Sequence, residues 1–168
     1  MIYRMIEEIN KSLENGCYLV ALISALALPD ICGKVEFPEM EKQTKQRYIK
    51  WYDEHIGQYE HDPSDIENVM PYPDGKMIYD LRCALFHSGN PIVDLKKQNL
   101  VGFELGMTKD YMSGGGSSYC HSTGERKIEI GIWNICFKLC ALAKYYYDNN
   151  KEKFKFNYTI KDVRNYGI

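Results

Sequence analysis

Tyr79-Asp80-Leu81-Arg82-Cys83-Ala84-Leu85-Phe86-His87-Ser88-Gly89-Asn90-Pro91 is the stretch on which the reading of this chain turns. Ahead of it Asp74 is placed to cap a helix, and Met77, Ile78, Leu81, Ala84 and Leu85 recur at the spacing of one buried helical face. The helix is predicted to end at about His87, because Gly89 supplies a left-handed cap and Pro91 forbids continuation. Arg82 and His87 stand five residues apart, about 140° around the axis, so they do not share a face. His87 is nevertheless at the helix end and Arg82 has a long stem, which lets both heads converge on a cleft beside the last turn.

Working outward, residues 1–14 place Ile2, Met5, Ile6, Ile9 and Leu13 at helical spacing opposite Glu7, Glu8 and Lys11, and Asn15-Gly16 ends that amphipathic helix. Residues 17–33 are apolar nearly all round and predict a central helix, kinked at Pro29, with Asp30 in or beside the core. A third helix over residues 39–56 turns Met40, Thr44, Tyr48, Trp51, Tyr52 and Ile56 inward. Its other face carries Lys42, Lys45, Arg47 and Lys50, either a phosphate-backbone contact or a solvated helix face. Residues 57–73 read as connection, with one short helix starting at Asp62-Pro63.

Beyond the decisive helix the period changes to two. Val101, Phe103, Leu105 and Met107 alternate with Gly102, Glu104 and Gly106 as a strand, and Ile128-Glu129-Ile130 is predicted to pair with it as an antiparallel ribbon. Ser113-Gly114-Gly115-Gly116-Ser117-Ser118 between them reads as a flexible tip; no Gly-Lys-Ser/Thr follows, so it is not a phosphate cradle. A long last helix, residues 132–149, carries Ile132, Cys136, Leu139, Cys140, Ala143 and Tyr147 inward, and Phe154, Phe156 and Tyr158 alternate in the tail. The expected architecture is mainly α: one domain over residues 1–168, an antiparallel bundle of four to five helices with a two-stranded β-ribbon inserted before the last.

Composition narrows the function classes. A formal charge of −2 and a pI near 6.1 give no general attraction to a polyanion, so any nucleic-acid contact rests on a local patch. Of the six cysteines all but Cys120 sit in apolar runs, which reads as reduced core thiols in a cytoplasmic protein. No C-x-x-C pair exists, so neither zinc nor another cofactor is expected. The apolar run from Cys17 to Leu28 is too short to cross a bilayer and follows Glu7, Glu8 and Glu14, so no membrane partner is expected. His55, His61 and His121 read as surface or turn residues.

The Arg82-x4-His87 pattern at the end of a bundle helix resembles the R-x4-6-H motif of the HEPN superfamily. The resemblance covers that motif and the helical order around it. It implies a homodimer in which the two motif helices meet, and a metal-independent ribonuclease or a toxin of antiphage or toxin–antitoxin systems, with RNA as substrate and an antitoxin as a further partner. Other members have lost catalysis and serve as nucleotide- or protein-binding subunits. Cys83 departs from the pattern, because the position after the Arg is often Asn, Asp or His, and a weak thiol one turn from His87 orients an imidazole poorly.

Metal-free RNA cleavage needs a base for the ribose 2′-hydroxyl, positive charge on the phosphate and an acid for the leaving oxygen. An imidazole, with an unperturbed pKa of about 6.5, serves as base or acid near neutrality, and a guanidinium offers a fixed fork to phosphate oxygens. Asp30 is the expected partner of Arg82 or His87, since a carboxylate beside a core helix break needs a cation. Ser88 and Asn90 are candidate donors at the rim. The plain structural reading is that Arg82 pairs with Asp30 or Asp80 while His87 caps the helix C-terminus.

Overall fold

The computed structural model describes residues 1–60, 72–87, 100–109, 116–120 and 125–156. Helices dominate it. Helix α1 (Ile2–Glu14) buries Ile2, Ile9 and Leu13 and ends where Gly16 takes a φ of +72°, a left-handed value that a side chain would strain. The predicted second helix is two: α2 (Tyr18–Ala25) and α3 (Leu28–Glu36), broken at Leu26-Ala27. Pro29 supplies the reason, since it brings no N–H to the ladder and fits the first turn of a new helix.

Helix α4 (Thr44–His55) follows a 3₁₀ turn at Pro38–Met40 and is shorter than the period suggested; Lys42 lies in the turn before it. Its Tyr48, Trp51 and Tyr52 are completely buried and form the centre of the core. Helix α5 (Gly75–His87) begins as expected: Asp74 Oδ1 accepts from the Met77 N–H at 2.7 Å. Gly75 is required there, because a Cβ would stand 2.6 Å from the Ile49 carbonyl oxygen of α4. Helix α6 (Ile132–Asn149) matches its predicted span and buries Ile132, Ile135, Cys136, Leu139, Cys140 and Ala143. It packs on α1, α2 and α3, while α4 packs on α3 and α5.

The ribbon departs from expectation. Strands β1 (Leu100–Gly106) and β3 (Glu125–Gly131) are parallel, and β3 lies between β1 and a further strand, β2 (Gly116–Cys120), to which it is antiparallel. Parallel strands need a crossover, and here it contains β2 itself. Gly116, Ser117 and Ser118, read as loop tip, are thus strand residues, and Cys120 closes that strand. Phe103 and Leu105 face Ile128 and Ile130 across the parallel pair and cover the helices, whereas Met107 is exposed just past the strand.

Tyr18–Glu36 spans 19 residues with a mean hydropathy of 1.6 in its best window, so the apolar run reaches past Leu28 and by length and composition alone matches a membrane-crossing helix. In the fold it is broken, carries Asp30, Lys34 and Glu36, and packs in part against α1, α4 and α6. Cys17, expected in the core, is exposed, as are Leu19 and Val20. Cys32 and Cys140 are buried, which pushes each thiol up to about 12, and burial raises Cys136 further. The proposed helix at Asp62-Pro63 and the tail residue Tyr158 lie outside the described residues.

Candidate functional site

The break at Pro29 sets Asp30 in the first turn of α3, where a carboxylate favours the helix N-terminus and points toward α4 and α5. Arg47 comes to it from α4. It is only 4% exposed, not part of the solvated face, because it falls on the Thr44, Tyr48, Trp51 stripe at helical spacing. Its Nη2 donates to Asp30 Oδ1 at 3.0 Å, and its Nη1 donates to the Met40 and Glu41 carbonyl oxygens. Trp51 Cβ and Arg47 Cγ close over Gly33, which leaves no room for a side chain there without a shift.

Arg82 reaches the same carboxylate from α5, with Nη2 3.8 Å from Asp30 Oδ2. The pairing anticipated between Arg82 and Asp30 is present, and Asp30 bridges two guanidinium groups. Arg82 also lies among aromatic rings, 5.2 Å from the centroid of Phe86, 5.7 Å from Tyr48 and 5.9 Å from Tyr79, within cation–π range. The Nε atoms of Arg47 and Arg82 are buried without a hydrogen-bond partner among the described residues.

Around this core stand further charges. Asp80 accepts from Lys76 at 2.7 Å and lies 3.9 Å from Lys45, whose ammonium also sits over the Tyr79 ring. Among the described residues, Arg47, Arg82 and Lys45 thus gather about two carboxylates, Asp30 and Asp80, the latter also paired with Lys76, in a chain whose overall charge is negative. Burial drives the Tyr48 hydroxyl far above its ordinary value; its proton is donated to the Leu26 carbonyl oxygen at the helix break. Burial first, and a hydrogen bond with Cys83 second, raise the Tyr79 hydroxyl.

His87 is the last residue of α5, one turn beyond Cys83. Ser88 and Asn90 lie outside the described residues, as do His61 and His121. Of the basic residues assigned to one face, Lys45 joins the cluster, Lys50 sits 4.1 Å over Phe37 and near Glu54, and Lys42 is exposed ahead of α4. Trp51 and Tyr52 are core residues, as their place on the inward stripe predicts.

A second polar group was missed by sequence reasoning. His55, read as a surface or turn residue at the end of the third helix, is the last residue of α4 and half-buried; its Nε2 lies 2.9 Å from Glu36 Oε2, and its ring centroid is 4.8 Å from that of Trp51. The signal was its place four residues after Trp51 on the inward stripe. Asp30 to Arg47 and Glu36 to His55 advance in the same direction along α3 and α4, an order that antiparallel packing of these two helices would reverse.

Comparison with known proteins adds nothing to the geometry: no family model, no curated protein and no solved structure matches the chain.

Proposed function

We propose that the chain is a HEPN-like, metal-independent endoribonuclease or ribonuclease-like toxin, in which two copies of α5 bring Arg82 and His87 to a composite site across a homodimer. The observation that carries this reading is that, among the described residues, Arg47, Arg82 and Lys45 gather about Asp30 and Asp80 beside α5 in a net acidic chain. A local positive excess is what a phosphate requires when the whole surface offers none.

In this mechanism Arg82 gives a planar fork to the non-bridging oxygens of the scissile phosphate and stabilises the pentacoordinate state. His87 takes the proton of the 2′-hydroxyl, whose oxygen attacks phosphorus. The His87 of the second copy gives a proton to the departing 5′-oxygen, so the products are a cyclic phosphate and a free hydroxyl. Asp30, anchored by Arg47, holds Arg82 in place; Ser88 and Asn90 are the proposed donors at the rim. Lys42, Lys45 and Lys50 are the proposed backbone contacts, and the surroundings are cytoplasmic.

The test is RNA cleavage by the purified chain in excess chelator. Arg82→Ala and His87→Ala are each expected to abolish cleavage while leaving the circular dichroism spectrum unchanged, and sedimentation is expected to show a dimer. Full activity in both variants rejects the reading.

A non-catalytic nucleotide- or protein-binding module, such as an antitoxin-like subunit, is the second reading. It is favoured by Arg82 being held against Asp30 and by Cys83 standing where the motif often has a polar amide or acid. Saturable binding of RNA without cleavage, lost in Arg82→Ala, selects it.

A further inference from the structure

Away from that cluster, Lys153-Phe154-Lys155-Phe156 alternates cations and phenyl groups just after α6. The chain turns through a 3₁₀ segment at Lys151–Lys153 and becomes extended at Phe154. Phe154 and Phe156 are half-buried and stack at 6.0 Å, and Phe154 sets its edge against Tyr146 and Tyr147; Lys153 and Lys155 are exposed. Opposite them, Ile31, Lys34 and Val35 lie at helical spacing on the outer side of α3. Between the two walls runs a groove of about 490 Å³, within the range that takes small organic ligands.

We infer that this groove binds a small amphiphilic anion: an alkyl or acyl chain ending in a carboxylate or phosphate. The floor, Ile31, Val35, Phe154 and Phe156, is apolar and suits the chain. The charged residues of the lining, Lys34, Lys153 and Lys155, are all cations, and they suit the head. Glu36, next to Val35, is engaged by His55 at 2.9 Å, so the nearest carboxylate on α3 has its own partner. A nucleic-acid strand fits less well, because Phe154 is already in ring contact with Phe156, Tyr146 and Tyr147, which leaves a poor platform for a base.

Isothermal titration of the full chain with decanoate, decyl phosphate, decanol and an oligouridylate tests this, each amphiphile below its micelle concentration. Decanoate or decyl phosphate is expected to bind one per chain, the tighter of the two identifying the head group, with decanol roughly tenfold weaker. Replacing Lys34, Lys153 and Lys155 together by Ala is expected to cost decanoate roughly tenfold and decanol nothing. Val35→Trp, which fills the floor, is expected to weaken all three amphiphiles, with circular dichroism confirming that both variants fold. Equal affinity for decanol, several amphiphiles per chain, no saturable binding, or a lysine-dependent response to oligouridylate alone overturns the proposal. So does saturation that proceeds only with a change in sedimentation, which would make the groove a contact between copies.

Discussion

Asp30 Oδ1 stands 3.0 Å from Nη2 of Arg47, and through this pair the first turn of α3 is fastened to the buried side of α4. The Arg47 side chain is 5% exposed and Asp30 29%, so the guanidinium is the member that cannot return to water. Removing the carboxylate strands it. Asp30→Ala is expected to lower unfolding free energy by about 3–5 kcal/mol, and Arg47→Met, which removes the buried charge itself, by clearly less. Urea denaturation of both variants measures the difference; equal losses would mean that the pair acts as packing alone.

Tyr48 and Tyr52 are both completely buried, yet only Tyr48 has a hydroxyl partner among the described residues, the Leu26 carbonyl oxygen at 3.0 Å. Tyr48→Phe therefore leaves a buried carbonyl without its donor at the helix break and is expected to cost about 1–3 kcal/mol. Tyr52→Phe removes a hydroxyl that bonds to none of them and is expected to be neutral or stabilising. Reversal of that order in thermal unfolding would remove the argument.

Asp53 accepts the Gly75 N–H at 2.6 Å, but burial, the larger effect, together with nearby Asp74 holds its pKa above the ordinary 3.8. The folded state thus prefers the protonated carboxyl. Asp53 contributes most to stability below pH 3.8 and loses that contribution as pH rises through the raised folded value. Asp53→Asn keeps an acceptor oxygen for Gly75 without the charge. Its stability relative to the parent chain is expected to improve between acid pH and neutrality, which denaturation at several pH values follows; a flat difference would contradict the assigned cause.

Glu104 of β1 and Glu129 of β3 are register partners, like charges side by side in the parallel pair. Glu104 is exposed, so Glu104→Lys replaces a repulsion by an attraction without disturbing the core. A gain of about 0.2–1 kcal/mol is expected, shrinking in high salt. A loss of stability would speak against this register.

Periodicity made the helices legible. Helix α6 runs over its predicted span, and α5 starts from Asp74 and buries the predicted Met77, Ile78, Leu81 and Ala84. That Asp30 meets a cation followed from one rule, that a carboxylate beside a core break needs one, which left Arg82 and His87 as the candidates; the structure pairs it with Arg82. Arg47 escaped because Lys42, Lys45 and Lys50 surround it in sequence and lend it their solvated character, although its spacing to Tyr48 and Trp51 already set it inward. His55 escaped in the same way. Strand direction was not legible at all: alternation marks Phe103, Leu105, Ile128 and Ile130 as facing one way, and either direction of β1 against β3 satisfies that. The intervening strand is built of small polar residues, Gly116-Ser117-Ser118, that carry no period to detect.

The apolar Tyr18–Glu36 stretch leans on α6, which the ribosome makes about a hundred residues later. At typical elongation rates of about 5–20 residues per second, the nascent chain carries the part of that surface that faces α6 uncovered for roughly 5–20 s. During that interval the stretch is a natural target for trigger-type chaperones or the membrane-insertion machinery, and Asp30, Lys34 and Glu36 are the charges that weigh against its capture.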